Sequence, residues 1–390
     1  MRSGAVPASI LRGRLRGNLP VRSATILRGF RERNRGCGKT HLPLSSSFPA
    51  RHEGHHMRIV LCFPNEERQR RRIAEAAPWA EVVDVPQERI AEELLNADIF
   101  CGHAKVPVDW EAVVRRGRLR WIQSSAAGMD HCLVPPVIAS DIVVTSASGL
   151  LADQVSEHTT ALVTAWLRSL PVFLAAQAKH EFIRRPTRDL HHSTILIVGF
   201  GGVGRRLAQV LRVFKTRLWA VDLFPVDKPE YVERLLPPTE LPSLLPDANL
   251  VILALPLNAA TRHAFGAAQF ARMKPGSLFV NVARGAIVVT DDLLTALRHG
   301  PIAGAVMDVT DPEPLPADHP LWDFPNVIIT PHVGGQCAGR ADDVARLFCE
   351  NLRRWHEGRP LINFISDKQA GFPFRDGKTP LWIDVCESIA

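Results

Sequence analysis

Three side chains in the second half of the chain have the types that proton transfer at a carbonyl needs. Arg284 stands in NVARGAIV, Glu313 in DPEPLP and His332 in TPHVGG, at successive separations of 29 and 19 residues. A guanidinium is planar, always charged, and donates in a fork that can bridge two oxygens. An imidazole can give or take a proton near neutral pH. The carboxylate of Glu313 is wedged between Pro312 and Pro314, and proline fixes its own φ while restraining the residue before it. Each residue alone has an ordinary reading as a surface arginine, a loop acid or a turn histidine. Their joint appearance at or near successive strand ends, beside the glycine loop described next, predicts a reacting constellation.

Upstream, TILIVGFGGVGRRLAQVLRVF sets Gly199, Gly201 and Gly204 in a GxGxxG pattern directly after an apolar run. Glycine allows a tight turn and a close backbone approach to a pyrophosphate, and the following helix N-terminus offers free N–H groups. Val203, Leu207, Leu211 and Phe214 share one face of that helix, with Arg205, Arg206 and Arg212 directed elsewhere. Asp222 ends the next apolar run, eighteen residues after Gly204. An acid there accepts from ribose hydroxyls and repels a 2′-phosphate. Leu223 and Phe224, which follow it, offer no arginine for NADP. A methyltransferase could use a similar turn and acid, so the glycine loop does not decide the chemistry.

These residues must be carried by a frame. From Met57 the runs MRIVLC, EVVD, DIFC, RWIQ and IVVT read as buried strands, separated by candidate helices RRRIAEAA and DWEAVVRR. A long helical stretch is expected from about Ala152 to Ala178, then a polar segment ending in DLHHS. A second series follows: TILIVG, RLWAVD, NLVILAL, SLFVNV, AGAVMD and NVII. Residues 340–356 read as an amphipathic helix, with Val344, Leu347, Phe348 and Leu352 at helical spacing. This rhythm predicts an α/β chain of two doubly wound parallel-sheet domains with a cleft between them.

The segments LPLNAATRHAF, MKPGSLFVNVARGAIV, AGAVMDVTDPEPLPADHPLW and NVIITPHVGG resemble the signature segments of the D-isomer-specific 2-hydroxyacid dehydrogenases. The resemblance runs over residues 57–372 and excludes the methyltransferase reading. It implies a Rossmann NAD-binding domain over residues 158–335 and a flavodoxin-like substrate domain over 57–157, completed by 336–374. It implies that Arg284 anchors the carboxylate and polarises the carbonyl of a small 2-keto acid, and that His332 delivers the proton. Glu313 would then hold the other imidazole nitrogen, fixing the tautomer and favouring the protonated ring. The loop SSAAGMDH would place Ala127 and Gly128 on the substrate carboxylate. Gly202 and Val203 would give amides to the pyrophosphate, and Pro256 would pack near the adenosine. Asp308 would meet the nicotinamide carboxamide, with Val282, Ala283 and Gly335 lining the same pocket. Glu157, in DQVSEHT, corresponds to a structural helix acid. The implied cofactor is NAD and the implied assembly a homodimer paired through the nucleotide domain.

Family forms that act on 3-phosphoglycerate typically carry an arginine just before the carboxylate-binding loop, where this chain has QSSAA. That leans toward glyoxylate, hydroxypyruvate or an aliphatic analogue, although Lys105 in CGHAKVP keeps a phosphate contact open. Phosphoglycerate dehydrogenase and a corepressor-like scaffold that binds NAD(H) are the alternatives.

Composition narrows the setting. Of the net charge of +7, residues 1–56 hold eleven Arg or Lys against Glu32 and Glu53, so the remainder is slightly acidic and gives no electrostatic case for nucleic acid. The leader lacks the apolar core of a secretory signal, and its Arg-rich, acid-poor composition also fits a transit peptide. It reads as disordered, or as codons translated ahead of a start at Met57. No apolar run reaches the ~18 residues of a membrane span. Cysteines 37, 62, 101, 132, 337, 349 and 386 form no CxxC pair and no metal-ligand spacing, which points to reduced thiols, no metal and a cytoplasmic setting. Residues 375–390 read as a tail without assignment.

Overall fold

The computed structural model describes residues 56–374 and 379–382. The leader expectation lies outside these residues, as does most of the tail.

Among the described residues, twelve strands form two sheets. The first contains β1 (Met57–Cys62), β2 (Ala80–Asp84), β3 (Ile99–Gly102), β4 (Trp121–Ser124) and β5 (Val143–Thr145). Their order is β2-β1-β3-β4-β5, with every pairing parallel. The second contains β6 (Thr194–Val198), β7 (Arg217–Val221), β8 (Arg234–Leu236), β9 (Leu250–Leu253), β10 (Leu278–Asn281), β11 (Gly304–Met307) and β12 (Val327–Ile329). Its order is β12-β11-β10-β9-β6-β7-β8, also parallel throughout. These are the flavodoxin-like and Rossmann orders, in which strands change direction of progression at a switch point and leave a crevice at their carboxyl ends. The expected fold class is borne out. The edge strand β8 was not anticipated: Arg-Leu-Leu is too short to show a period.

The central strands are largely apolar without alternation because both faces of each sheet are covered there. Along β1, Ile59 and Leu61 enter one core while Val60 and Cys62 enter the core on the opposite face. Along β6, Leu196 and Val198 face one core and Ile195 and Ile197 the other. The helix Arg340–Glu357 returns to the first sheet, burying Val344, Leu347, Phe348 and Leu352 there. Each such buried side chain is worth about 1.5–3 kcal/mol of transfer free energy.

The connection between the sheets departs from expectation. The helical stretch over 152–178 is two helices, Ala152–Leu167 and Leu170–Ala178, bent by 68°. Pro171 cannot donate to the Leu167 carbonyl, and its ring would clash with it. That carbonyl accepts instead from the Arg188 N–H at 2.9 Å, while Ser169 turns the chain at φ 56°. The first helix spans the expected 157/158 division, and Val163 and Leu167 already belong to the second sheet's core. Among the described residues no single helix is long and apolar enough to cross a membrane.

Part of the unassigned tail is packed. Trp382 is 3% exposed in the first sheet's core. Its backbone N–H donates to Asn363 Oδ1 at 3.0 Å, and Arg346 lies 5.3 Å over its ring.

Candidate active site

The glycine loop joins β6 to the helix Gly202–Leu211. Gly199 has φ 98°, and a Cβ there would sit 2.5 Å from the Ala254 carbonyl oxygen, so only glycine fits. At Gly204 a Cβ would meet the Gly199 oxygen at 2.1 Å, which keeps helix and strand in close contact. Over Gly201, by contrast, a Cβ would meet nothing within 4 Å among the described residues. That open backbone, at the N-terminus of a ten-residue helix, fits a dinucleotide pyrophosphate.

Asp222 follows β7, and its carboxylate accepts from the Phe200 N–H at 2.6 Å and the Phe224 N–H at 2.9 Å. Two oxygens anchored this way stand at a fixed place beside the glycine loop. Arg205 corrects the helix reading. It is 9% exposed, lies 4.8 Å over the Phe200 ring, and donates to the carbonyls of Val226 and Asp227. It therefore lines the same cleft as Asp222, together with Gly201, Gly202 and Phe224.

Arg284 is presented by the turn after β10. Asn281, fully buried, makes that turn: its amide donates to the Arg284 carbonyl and its oxygen accepts from the Ala283 N–H, both at 3.0 Å. The guanidinium donates to the Ala283 carbonyl at 2.7 Å and meets Asp130 at 3.2 Å. Gly128 is packed against it: a Cβ there would lie 1.7 Å from Arg284 Nη2. Ala127, beside it, is exposed. Thus the loop after β4 and the loop after β10, from different sheets, close on one point.

The loops after β10 and β11 are interlocked as well, since a Cβ on Gly285 would sit 1.8 Å from the Thr310 carbonyl oxygen. Glu313 lies three residues beyond, between prolines that both follow cis peptide bonds. Its Oε1 is 2.6 Å from His332 Nδ1. A carboxylate only accepts, so Nδ1 carries the proton and the pair selects one tautomer. The pair is 42–43% exposed at its side chains, open to a ligand in the cleft.

His332 adopts φ 55°, unusual for a residue with a side chain. Asp308, 3% exposed, holds that turn. Its backbone carbonyl accepts from the His332 N–H at 2.8 Å, Oδ1 accepts from Val333 N–H and Thr330 Oγ1, and Oδ2 accepts from Gly334 N–H. The carboxylate expected to meet a nicotinamide is thus engaged with the histidine's own turn. The remaining expected positions have these local contacts. Val282 donates to the Leu253 carbonyl, Ala283 is buried, Pro256 accepts from Thr261 Oγ1, and Gly335 faces Leu151.

Sequence reasoning missed three features. Asp130 pairs with Arg284; burial pushes its carboxyl up, but the guanidinium and the hydrogen bonds outweigh that and hold it below its ordinary value. His103 and His131 stack at 3.9 Å on the substrate-domain side. Burial, then the neighbouring His103 ring, pushes His131 down to about 3, so it is neutral. Burial likewise lowers His103, opposed by Asp130 and reinforced by Lys105, Arg340 and Arg284. Third, Glu157 is exposed, and it is His158 that reaches the site. Asp130 and His131 stood within SSAAGMDH, but nothing local says that they face Arg284.

Comparison with known proteins agrees with this architecture. Residues 160–334 match the family model for the NAD-binding domain of D-isomer specific 2-hydroxyacid dehydrogenases. The chain is 32% identical over 291 residues to glyoxylate/hydroxypyruvate reductase B of Citrobacter koseri, covering 73% of this chain and 89% of that protein. It is 30% identical over 313 residues to a glyoxylate reductase of Thermococcus gammatolerans, covering 76% and 93%. Among solved structures, a D-isomer specific 2-hydroxyacid dehydrogenase family protein from Aeromonas salmonicida matches with TM-score 0.68 at 31% identity, over 78% of this chain and 97% of that one. An NADPH-dependent glyoxylate/hydroxypyruvate reductase from Sinorhizobium meliloti, in complex with NADP and sulfate, matches with TM-score 0.68 at 26% identity, over 81% and 100%. The chain belongs to the D-isomer specific 2-hydroxyacid dehydrogenase family, oxidoreductases acting on the CH–OH group of donors.

Proposed function

We propose that the protein reduces a small 2-keto acid of the glyoxylate or hydroxypyruvate type, using NADH. The observation that carries this reading is the closure of Gly128 on the Arg284 guanidinium from across the cleft. A loop backbone and a forked cation meeting at one point suit a carboxylate with an adjacent carbonyl.

Gly128 and Ala127 receive the substrate carboxylate, and Arg284 bridges carboxylate and carbonyl oxygens, with Asp130 steadying its Nε. His332 gives its Nε2 proton to the carbonyl oxygen as the hydroxyl forms. Glu313 keeps Nδ1 protonated throughout, so Nε2 is the nitrogen that exchanges. Gly199, Gly201, Gly202, Val203 and Gly204 would hold the pyrophosphate. Pro256 would pack near the adenosine, and Val282, Ala283, Asp308 and Gly335 would border the nicotinamide. The dinucleotide supplies the hydride. Asp222 favours NADH because its anchored carboxylate accepts ribose hydroxyls and repels a 2′-phosphate. Arg205 lines that cleft but has already committed its Nη atoms to two carbonyls. The exposed apolar residues Leu170, Leu174, Phe182 and Ile183 support pairing of two copies through the nucleotide domain.

The test is kcat/KM for glyoxylate, hydroxypyruvate, 3-phosphohydroxypyruvate and longer keto acids, each with NADH and NADPH. Turnover of the small acids with NADH is expected, with a narrower cofactor preference in Asp222→Ala. A preference for NADPH would overturn the Asp222 argument, and a preference for the phosphorylated acid would favour phosphoglycerate dehydrogenase. Tight NADH binding without turnover of any acid would favour a scaffold.

A further inference from the structure

The helix Ala152–Leu167 carries the chain from the first sheet to the second. From its middle, His158 reaches into the turn that bears His332. Its Nε2 lies 3.0 Å from Thr330 Oγ1 and 3.2 Å from Asp308 Oδ1. The donor assignment follows from counting hydrogens. The Thr330 hydroxyl has one hydrogen, and at 2.6 Å it goes to Asp308 Oδ1. A carboxylate has none to give. Both neighbours of His158 Nε2 are therefore acceptors, and Nε2–H donates to them.

This N–H completes the donor set around a carboxylate that is 3% exposed. Val333 N–H, Gly334 N–H and Thr330 Oγ1 supply the others. A buried carboxylate that loses a donor is left with an unmet acceptor, which is costly in a low-dielectric setting. Little slack exists nearby: a Cβ on Gly334 would sit 2.8 Å from Asp308 Oδ2 and 3.2 Å from His158 Cδ2. His332 itself sits at φ 55°, a conformation that persists only when its surroundings hold it.

We propose that His158 is a positioning residue: through Asp308 and Thr330 it holds the turn carrying His332, and so ties the orientation of the proton donor to the helix joining the two sheets. This rests on the reading of His332 as the proton donor in keto-acid reduction. His158 does not touch the substrate; it acts only through its N–H.

The experiment compares His158→Leu, which fills similar space without a donor, with His158→Gln, whose amide can donate from a similar reach. Two readouts are needed: kcat for a keto acid that the wild type reduces, and hydrogen exchange of the Val333 and Gly334 amides without substrate. H158L is expected to lower kcat about tenfold to a hundredfold and to speed exchange, with the KM for NADH little changed. H158Q is expected to restore both to within about threefold of wild type. Wild-type kcat and exchange in H158L would overturn the proposal. So would equal impairment of H158L and H158Q, which would show a packing role. Should H158L fail to fold, Thr330→Val carries the same test by removing the shared hydroxyl; wild-type kcat and exchange in that variant overturn it equally. A wild type that reduces no keto acid refutes the functional reading instead, and the exchange measurement still decides the role of His158.

Discussion

Replacing Gly128 by alanine adds one methyl group at the point where the two sheets meet. The new Cβ would sit 1.7 Å from Arg284 Nη2, 2.6 Å from Cζ and 3.0 Å from Asp130 Oδ1. Ordinary carbon contacts begin near 3.5 Å, so the guanidinium must retreat by roughly 1.5–2 Å. Gly128 does not have a left-handed φ, so alanine imposes no backbone strain there, and the obstructing atoms end a flexible side chain. The fold should therefore tolerate the change, with a melting temperature within about 3 °C of wild type, as for a perturbation near 1 kcal/mol. Catalysis should not. A displacement of about 1 Å in a positioning group can cost 10²-fold, equivalent to ~2.7 kcal/mol of barrier. The assay is steady-state reduction of glyoxylate and hydroxypyruvate, beside a fluorescence titration of NADH. The expected result is kcat/KM down about 10²-fold for both acids, with NADH affinity within about twofold. A kcat/KM within about threefold of wild type, in a folded variant, would refute the placement of the substrate carboxylate between Gly128 and Arg284.

Three further outcomes are expected. Glu313→Gln should keep the NADH dissociation constant while lowering kcat for reduction by about tenfold to a hundredfold, within the share a positioned acid contributes; unchanged kcat would leave the 2.6 Å contact without a catalytic use. Burial holds His131 at about 3 against an ordinary 6.5, so between these values the unfolded chain takes up a proton that the native state refuses. Native stability should therefore fall with falling pH by up to about 1.4 kcal/mol per unit from this residue, and His131→Asn should flatten urea-derived stability between about pH 6.5 and 4.5; parallel profiles would count against it. Trp382→Ala should cost about 3–5 kcal/mol in denaturant unfolding, because it opens the first sheet's core; a loss below about 1 kcal/mol would show that the tail adds little to that core.

Much of this protein was legible because its signals are local. Among the described residues twelve short runs form the strands, and eleven were readable because a strand buried on both faces must be largely apolar. The glycine loop was readable because a tight turn and a pyrophosphate approach demand glycine at set positions. Arg284, Glu313 and His332 stood out because each lies in a segment marked by prolines, glycines and strand-end placement, and the structure sets Glu313 against His332. What the chain did not reveal depends on residues far apart in sequence. Arg284 and Asp130 are 154 positions apart, and no pattern near either names the other. His158 meets Thr330 across 172 positions, whereas the resemblance pointed to Glu157 beside it, which the helix leaves exposed. Arg205 stands beside Arg206 on a helix in the sequence, yet Phe200 and two carbonyls hold it in the cleft. Trp382 had no period to read, since a single aromatic side chain is placed by the cavity that receives it. Local sterics and periodicity wrote the elements into the sequence, whereas the partners of each buried charge followed only from how the two sheets came together.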